Sequence, residues 1–226
     1  MLEGMRSMIG KMMSGINEAR GHTEMNRKEH WESVYTKNKD NEVGWYQADP
    51  EISFSLIEKA SPSRERVIDI GGGTSRLPEK LLDRGYQNIS VLDISAAAVA
   101  KAKARLAQRA ERIQWIVSDI TEVENLGQFD VWHDRAVFHF LTDQSDRRRY
   151  VELASRTLPI GGHLIVGTFA HDAPPRCSGL GVRCYDAPSL AAEFSPAFRA
   201  VEETSHVHHT PTGKPQHFLF MTFERV

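Results

Sequence analysis

Acidic residues lie beside three short apolar segments of the chain, and one of these segments leads into a run of glycines. Asp69 stands two residues before Gly71-Gly72-Gly73, while Asp93 and Asp119 each follow an apolar run further along. Carboxylates accept hydrogen bonds from hydroxyl and amino groups, and glycines let a ligand approach the backbone closely. The pattern predicts that a nucleoside or an anionic group binds at this turn.

The segments around these acids alternate between strand-like and helix-like patterns. The apolar run at 67–70, the glycines and the spacing of Leu77, Leu81 and Leu82 predict a strand, a tight turn and a helix. Further strands are predicted near 90, 114, 130 and 164, followed by a pair at 198–207 and 217–223 without a long helix between them. This order predicts a doubly wound α/β sheet that is mostly parallel and ends in an antiparallel strand.

The spacing of the glycines distinguishes between two nucleotide-binding folds. Dinucleotide-binding turns carry Gly-x-Gly-x-x-Gly, whereas here Gly71, Gly73 and Ser75 fall at alternate positions after Asp69. The segment resembles the first motif of class I S-adenosylmethionine-dependent methyltransferases, an acid followed by Gly-x-Gly-x-Gly. Ser75 replaces the third glycine, and a serine that caps the following helix suits that position.

The resemblance extends over residues 43–226, and Leu-Pro-x-Gly-Gly-x-Leu-Ile at 158–165 is a second motif of the family. It implies the class I methyltransferase fold, a seven-stranded sheet in the order 3-2-1-4-5-7-6 with the last strand antiparallel. It also implies S-adenosylmethionine as the cofactor and S-adenosylhomocysteine as its product.

Several cofactor contacts follow from this resemblance. The glycine turn faces the amino-acid end of the cofactor, with help from the acid before it. Asp93 stands at the carboxyl end of the second strand, where an acid can accept hydrogen bonds from both ribose hydroxyls. Its alternative role, capping the following helix, is better met by Ser95, so the ribose contact is favoured. The family places Asp119 against the adenine amine and Ile120 near the ring; an ordinary turn aspartate is the alternative for Asp119.

Two large aromatics, Trp45 and Tyr46, stand on a predicted loop before the first strand, and Asp49-Pro50 is expected to start the next helix. Such aromatics either seal the edge of the core or cover the ligand, as in many methyltransferases that the chain resembles. We expect Tyr46 to cover the cofactor and Trp45 to seal the core. The expected cofactor-binding residues are Asp69, Gly71, Gly73, Ser75, Asp93, Ile94, Asp119, Ile120 and Tyr46.

The fourth strand is predicted over 129–133, and from its last residue, His133, onward two histidines, an acid, an arginine and two phenylalanines fall within nine residues. This segment corresponds to the family motif that passes beneath the transferable methyl group. A histidine titrates near neutrality and can deprotonate an acceptor, so we expect one of His133 and His139 to be a base, with Asp134 beside it. Asp134 alternatively pairs with Arg135, and His217 is a further candidate on the acceptor side.

Length, charge and cysteine content limit the other possibilities. The 226 residues suit one domain, predicted over 25–226, with a lid and helices at 25–60, a Rossmann-like core at 66–226 and a flexible extension at 1–24. A net charge of −2 gives no attraction to nucleic acid or an anionic membrane. Two cysteines, Cys177 and Cys184, predict neither a disulfide framework nor a metal site. We expect a cytoplasmic monomer or weak homodimer.

The predicted function is therefore methyl transfer by in-line displacement, in which the protein aligns a nucleophile and excludes water. A small-molecule acceptor is the first choice, because the lid and the long segment 170–186 can enclose a compact pocket. A protein lysine is the alternative, since the arrangement is also similar to short lysine methyltransferases that act on translation factors. Two further hypotheses belong to other functional classes: a nicotinamide-dependent oxidoreductase and a non-catalytic module that binds the nucleoside. The glycine spacing disfavours the oxidoreductase.

Overall fold

The structure is a computed structural model, and it describes residues 26–226. The extension expected at residues 1–24 lies outside the described residues. The helices are α1 (Arg27–Lys37), α2 (Glu51–Ala60), α3 (Leu77–Asp83), α4 (Ala96–Leu106), α5 (Gln144–Thr157) and α6 (Ala187–Phe194), with 3-10 turns at Asp40–Glu42, Ala107–Arg112 and Phe138–Phe140. The strands are β1 (Val67–Ile70), β2 (Ile89–Asp93), β3 (Ile113–Val117), β4 (Val131–Arg135), β5 (His163–Phe169), β6 (Arg176–Cys177), β7 (Leu180–Gly181), β8 (Phe198–His209) and β9 (Pro215–Arg225).

Seven strands form one sheet in the order β3-β2-β1-β4-β5-β9-β8. The strands β1 to β5 are parallel, while β9 is antiparallel to both of its neighbours, β5 and β8. The short hairpin β6–β7 stands apart from this sheet. When it is set aside, β8 and β9 are the sixth and seventh strands, so the predicted order 3-2-1-4-5-7-6 is confirmed.

Helices on both faces bury the centre of the sheet. All four residues of β1 are buried, and its side chains alternate between two cores: Ile68 packs with Trp132 on one face, and Val67 packs with Leu81 on the other. Strands buried on both faces have nearly continuous apolar sequences, which is why β1 is visible in the sequence. The carboxyl ends of the parallel strands meet at one edge, where open α/β sheets bind ligands.

Strand β4 differs from its prediction in a way that matters for the site. The sequence predicts it over 129–133, whereas it begins at Val131 and continues to Arg135. Asp134 and Arg135 therefore belong to the strand, with His133, and not to the following loop. Successive strand side chains point to opposite faces of the sheet. His133 and Arg135 therefore share one face, and Asp134 points to the other.

Two smaller predictions are corrected. The sequence predicts segment 170–186 as a long loop, whereas it contains the short hairpin β6–β7. Asp49 does not cap α2, which begins at Glu51 after Pro50; instead its carboxylate accepts from Lys80 Nζ at 2.5 Å. Within residues 26–226, none of the helices has the length and apolar character needed to cross a membrane.

Candidate functional site

An open cavity lies at the carboxyl ends of the parallel strands, where open α/β sheets bind their ligands. We call the part at the ends of β1 to β3 the Asp93 side; it is lined by Gly71, Leu92, Asp93, Ile94, Asp119 and Ile120. The part at the ends of β4, β5 and β9 is the Arg135 side; it is lined by Arg135, Phe140, Phe169, Cys177, Gln216 and Phe218. The two sides differ in chemistry, since the first carries the carboxylates and the second is aromatic with one cation.

The glycine turn after β1 has no room for side chains. Gly71 and Gly73 have φ angles of +67° and +39°, in the left-handed region that favours glycine. A Cβ on Gly71 would overlap the Val137 side chain, and one on Gly73 would lie 2.7 Å from Asp93 Oδ2. Ser75 stands one residue before the N-cap position of α3, and its Oγ accepts from the Leu77 amide at 3.1 Å. The expected capping serine thus acts just ahead of the helix.

Asp93 is buried at the end of β2. Its Oδ1 accepts from the Ser95 amide at 2.8 Å, while Ser95 Oγ caps α4 by accepting from the Ala98 amide at 3.1 Å. Burial raises the pKa of the Asp93 carboxyl to about 7, and the nearby Asp69 adds to the rise. Ser95 is therefore the helix cap, as expected, and Asp93 is a carboxylate held in a poorly solvated position on the cavity wall.

Asp119 also lines the Asp93 side, beside Ile120. Its Oδ1 accepts from both the amide and the hydroxyl of Thr121, at 2.9 and 2.8 Å, and its Oδ2 lies 3.8 Å from Arg27 Nη1. Asp119 thus makes the contacts of an ordinary turn aspartate, and it also lines the cavity. The adenine contact of Asp119 remains a prediction.

Asp69 and His133 form a buried pair on neighbouring strands, with Asp69 Oδ1 and His133 Nδ1 2.7 Å apart. A carboxylate oxygen accepts, so His133 Nδ1 donates the hydrogen in this contact. Both residues line a smaller cavity beside the glycine turn, together with Arg135 and Tyr46. His133 thus lies near the expected amino-acid end of the cofactor and not on the Arg135 side.

Asp134, which we expected to be catalytic, is engaged on the opposite face of β4. Its Oδ1 accepts from the Val137 amide at 2.9 Å, and its Oδ2 accepts from the Phe138 amide at 3.1 Å and the Tyr150 hydroxyl at 2.7 Å. The side chain is fully buried, and burial raises its pKa to about 6. It does not pair with Arg135 either, so the expected role is replaced by a structural one: Asp134 fixes the turn after β4.

This structural role predicts that Asp134→Ala lowers the free energy of unfolding by about 2 to 4 kcal/mol, because two buried amides and a hydroxyl lose their acceptor. Tyr150→Phe keeps both amides paired with the carboxylate but removes the acceptor of Trp132 Nε1, which is 2.8 Å from the Tyr150 hydroxyl, so it should cost about 1 to 3 kcal/mol. Urea unfolding of the two variants and the parent measures this. Unchanged stability in Asp134→Ala with loss of methyl transfer would restore the catalytic interpretation.

His139 is buried in the 3-10 turn after β4 and is not one of the residues that line the main cavity. Its Nδ1 accepts from the Phe169 amide at 3.2 Å, so Nε2 carries the hydrogen and no lone pair is free. Burial, followed by the charge of Arg135, lowers its pKa to about 3. The ring is neutral at physiological pH, and its geometry favours a structural role over that of a base.

The aromatic residues near the cavity are arranged differently from the prediction. Trp45 lines the main cavity and packs edge-on against Trp31 and Tyr35 of α1, at centroid distances of 5.6 and 6.0 Å. Tyr46 lies outside that cavity, at the smaller one beside the glycine turn. Trp45 therefore covers the main cavity together with Trp31, while a contact of Tyr46 with the amino-acid end of the cofactor, beside the glycine turn, stays a prediction.

The C-terminal histidines lie away from the cavity. His217 Nδ1 is 2.7 Å from Asp172 Oδ2 in a separate surface depression, and His208 Nε2 is 2.8 Å from the Gly44 carbonyl oxygen. Among residues 26–226, no cluster of three or more potential ligands is placed to hold a metal ion. Cys177 does line the Arg135 side, as a thiol whose pKa burial raises to about 11.

Arg135 is the site residue that sequence reasoning missed, since it was considered only as a partner of Asp134. Its Nη1 donates to the Trp45 carbonyl at 3.0 Å, and its guanidinium lies over the Phe218 ring at 4.7 Å. It lines both the main cavity and the smaller one. The available signal was strand periodicity: a strand that continues to 135 places Arg135 on the same face as His133.

Comparison with known proteins agrees with this geometry. Residues 67–162 match the family model described as "Methyltransferase domain". The "eEF1A lysine and N-terminal methyltransferase" of Bos taurus is 30% identical over 144 residues, which cover 61% of this chain and 20% of that protein. "Nodulation protein S" of Rhizobium tropici is 29% identical over 118 residues, covering 52% of this chain and 48% of the relative. The chain thus spans between a fifth and about half of these two relatives.

Solved structures share the fold over most of the chain. N-methyltransferase NodS from Bradyrhizobium japonicum, in complex with S-adenosylhomocysteine, matches with a TM-score of 0.67 and 19% identity, covering 88% of this chain and 99% of its own. The protein solved in a study of conversion of a disulfide bond into a thioacetal group during echinomycin biosynthesis matches with a TM-score of 0.69 and 18% identity, covering 88% and 92%. At this identity the similarity establishes the fold alone.

Proposed function

We propose that this chain, a member of the class I S-adenosylmethionine-dependent methyltransferase family, transfers a methyl group from S-adenosylmethionine to a small-molecule acceptor. The observation that carries the proposal is the single cavity with two chemically different sides. Carboxylates and a glycine turn on one side suit a nucleoside with an amino-acid tail. Aromatic rings and a guanidinium on the other suit a compact organic acceptor.

The residues on the Asp93 side fit the cofactor. The buried Asp93 carboxylate is suited to accept from two ribose hydroxyls, and Asp119 can accept from the adenine amine. The glycine turn carries no side chains, so the amino-acid end of the cofactor can approach its backbone closely. Bound S-adenosylmethionine supplies a methyl group made electrophilic by its sulfonium. The chain binds the two reactants in line, which converts a bimolecular reaction into an effectively unimolecular one.

Water exclusion is the second contribution of the protein. Trp31, Trp45 and Phe140 pack edge-on around the cavity, with Phe140 at 4.9 Å from the Trp31 ring centroid and Trp45 at 5.6 Å. Because His139 and Asp134 are occupied by backbone groups, the arrangement favours acceptors whose nucleophile is already unprotonated near neutral pH. Attack forms the bond to the methyl carbon as its bond to sulfur breaks, and S-adenosylhomocysteine leaves.

A protein lysine acceptor is the second candidate, because the Bos taurus relative is named a lysine and N-terminal methyltransferase. The Arg135 side disfavours it, since a lysine nitrogen would approach a guanidinium, and like charges in a poorly solvated cavity repel. Labelled S-adenosylmethionine and a cell extract separate the two candidates. Label in the small-molecule fraction supports the proposal, whereas methyllysine in the acid-hydrolysed protein fraction supports the alternative.

Cofactor binding is tested first by thermal unfolding with S-adenosylhomocysteine, S-adenosylmethionine and NADH. A ligand at a hundred times its dissociation constant adds about 2.7 kcal/mol, which raises the midpoint by roughly 5 to 10 °C in a domain of this size. We expect the rise with the two adenosyl sulfur compounds alone. A rise with NADH instead, or no rise in protein freed of co-purified ligand, would contradict the proposal.

A further inference from the structure

Two nitrogens of the Arg135 guanidinium have no partner in the part of the chain that the structure describes. Nη1 donates to the Trp45 carbonyl at 3.0 Å, but Nε and Nη2 are buried and make no hydrogen bond. Within residues 26–226, no carboxylate forms an ion pair with this arginine. Nε and Nη2 lie on the same edge of the guanidinium, and this edge matches the two oxygens of a carboxylate.

Other arginines of this protein show how such groups are normally satisfied. Arg66 uses the same edge to hold Asp130, with Nε at 2.8 Å and Nη2 at 2.7 Å from the two carboxylate oxygens. Arg105 and Arg147, both largely buried, donate from Nε to Glu79 and Glu193 at 2.8 and 3.0 Å. Arg135 differs from these three arginines because its Nε and Nη2 edge is buried and no carboxylate accepts from it.

The charge of Arg135 makes this arrangement costly without a ligand. Burial lowers the pKa of the guanidinium to about 10, which still leaves it protonated at neutral pH. Buried charges in folded proteins are nearly always paired, because removing an ion from water is expensive unless a counter-charge replaces the lost solvation. A charged edge on the wall of an open cavity is therefore suited to an anionic ligand.

The surroundings of Arg135 place this anion site at the acceptor. The Arg135 guanidinium lies over the Phe218 ring of β9, 4.7 Å from the ring centroid. Cys177 and Gln216 line the same side of the cavity. The anchoring contact to Trp45 fixes Nη1 and leaves the Nε and Nη2 edge without a partner. Gln216 and Cys177 offer only neutral donors, so the positive charge that would attract an anion on this side comes from Arg135.

We propose that the Nε and Nη2 edge of Arg135 binds a carboxylate of the methyl acceptor, so that the substrate is a small organic acid with an apolar body. The inference rests on the proposed function and makes it more specific. The apolar part packs among Phe140, Phe169 and Phe218, while the carboxylate fixes the orientation in which the nucleophile faces the methyl group. S-adenosylmethionine also has a carboxylate, so the experiment must separate the two sources.

The probes are matched pairs that differ only in charge: phenylacetate with phenylacetamide, and indole-3-acetate with indole-3-acetamide. Calorimetric titration is carried out in phosphate-free buffer with saturating S-adenosylhomocysteine. We expect at least one carboxylate to bind about tenfold or more tightly than its amide, the usual worth of a charge-assisted bidentate contact. In Arg135→Gln the ratio should fall to about one, and Arg135→Lys should retain part of it.

A matched control is Arg176→Gln, because Arg176 is exposed beside Cys177 and its side chain donates to the Gly179 carbonyl oxygen, away from the cavity wall. It should leave the carboxylate preference unchanged. The cofactor arm compares S-adenosylhomocysteine with 5′-methylthioadenosine, which lacks the amino-acid end. We expect Arg135→Gln to change both affinities by less than about threefold.

Three outcomes overturn the inference. Wild-type protein that binds no carboxylate at millimolar concentration, or binds acid and amide equally, has no anion site at the acceptor. A preference that survives in Arg135→Gln belongs to another residue. Loss of affinity for S-adenosylhomocysteine alone in that variant, with 5′-methylthioadenosine unaffected, assigns the edge to the cofactor. In contrast, failure of S-adenosylhomocysteine to bind wild-type protein would refute the proposed function itself.

Discussion

Replacing Asp93 with asparagine should weaken S-adenosylhomocysteine binding by about 100-fold or more while stabilising the ligand-free protein at pH 8. The proposed contacts are two hydrogen bonds from ribose hydroxyls to an ionised carboxylate, and bonds to charged groups contribute about 1.5 to 3 kcal/mol each. An asparagine side chain offers one oxygen and no charge. Calorimetric titration measures the affinity, and thermal unfolding measures the stability.

The stabilisation follows from the burial of the carboxylate. The pKa of Asp93 in the folded protein is about 7, above its ordinary value of 3.8, so the folded state binds this proton more tightly than the unfolded state. The corresponding stability is fully present below about pH 4 and is lost as the pH rises through about 7, a change on the order of a few kcal/mol. Asparagine is neutral throughout, so Asp93→Asn should remove this part of the pH dependence.

Cofactor affinity should depend on pH in the opposite direction. Because binding needs the ionised carboxylate, wild-type affinity for S-adenosylhomocysteine should fall as the pH is lowered from 8 to 6, through the pKa of about 7. Asp130→Asn is the matched control, since Asp130 pairs with Arg66 away from the cavity and its pKa is lowered. It should be slightly destabilising and leave affinity unchanged. Equal affinities in Asp93→Asn and wild type would refute the ribose contact.

The second large effect is expected for Gly71→Ala, which should abolish detectable S-adenosylhomocysteine binding and lower the thermal midpoint by roughly 5 to 15 °C. Two costs combine at this position. A left-handed φ of +67° is unfavourable for alanine, by about 1 to 2 kcal/mol. The new Cβ would also overlap Val137, and overpacking costs about 1 to 3 kcal/mol more. Scanning calorimetry with and without ligand measures both effects.

Gly127→Ala separates these two costs. Gly127 has a similar φ of +82°, but a Cβ there would meet no atom within 4 Å. This variant should show only the backbone cost, with a midpoint lowered by a few degrees and full ligand binding. If Gly71→Ala behaves in the same way as Gly127→Ala, the close approach of Val137 to the turn has no role in the site.

Sequence reasoning succeeded where local patterns carry the information. Strands buried on both faces, such as β1, show as apolar runs, and the acid and glycine spacing indicated a resemblance to class I methyltransferases, which supplied the strand order. Asp93, Asp119 and the glycines lie on one cavity as a consequence. The parallel sheet brings the ends of its strands together at one edge, so residues distant in sequence converge there.

The errors share a physical cause. Asp134 and Arg135 are polar and resemble a loop, yet they form the end of β4 because tertiary partners satisfy them: the turn after β4 for Asp134, and the Trp45 carbonyl for Arg135. The partners of a buried polar residue are distant in sequence, and the periodicity of the chain does not identify them. The same holds for Trp45, whose orientation is set by packing against Trp31 and Tyr35 of α1.

Most residues of the Arg135 side come from a later part of the chain than those of the Asp93 side. Gly71, Asp93 and Asp119 lie within the segment 67–162 that matches the methyltransferase-domain model, whereas Phe169, Cys177, Gln216 and Phe218 lie beyond it. On the proposed function, we expect substitutions at these four positions to change the choice of acceptor and to leave cofactor affinity intact. The same arrangement would let acceptor specificity be redesigned through the C-terminal segments alone, with Arg135 kept or exchanged as a separate choice.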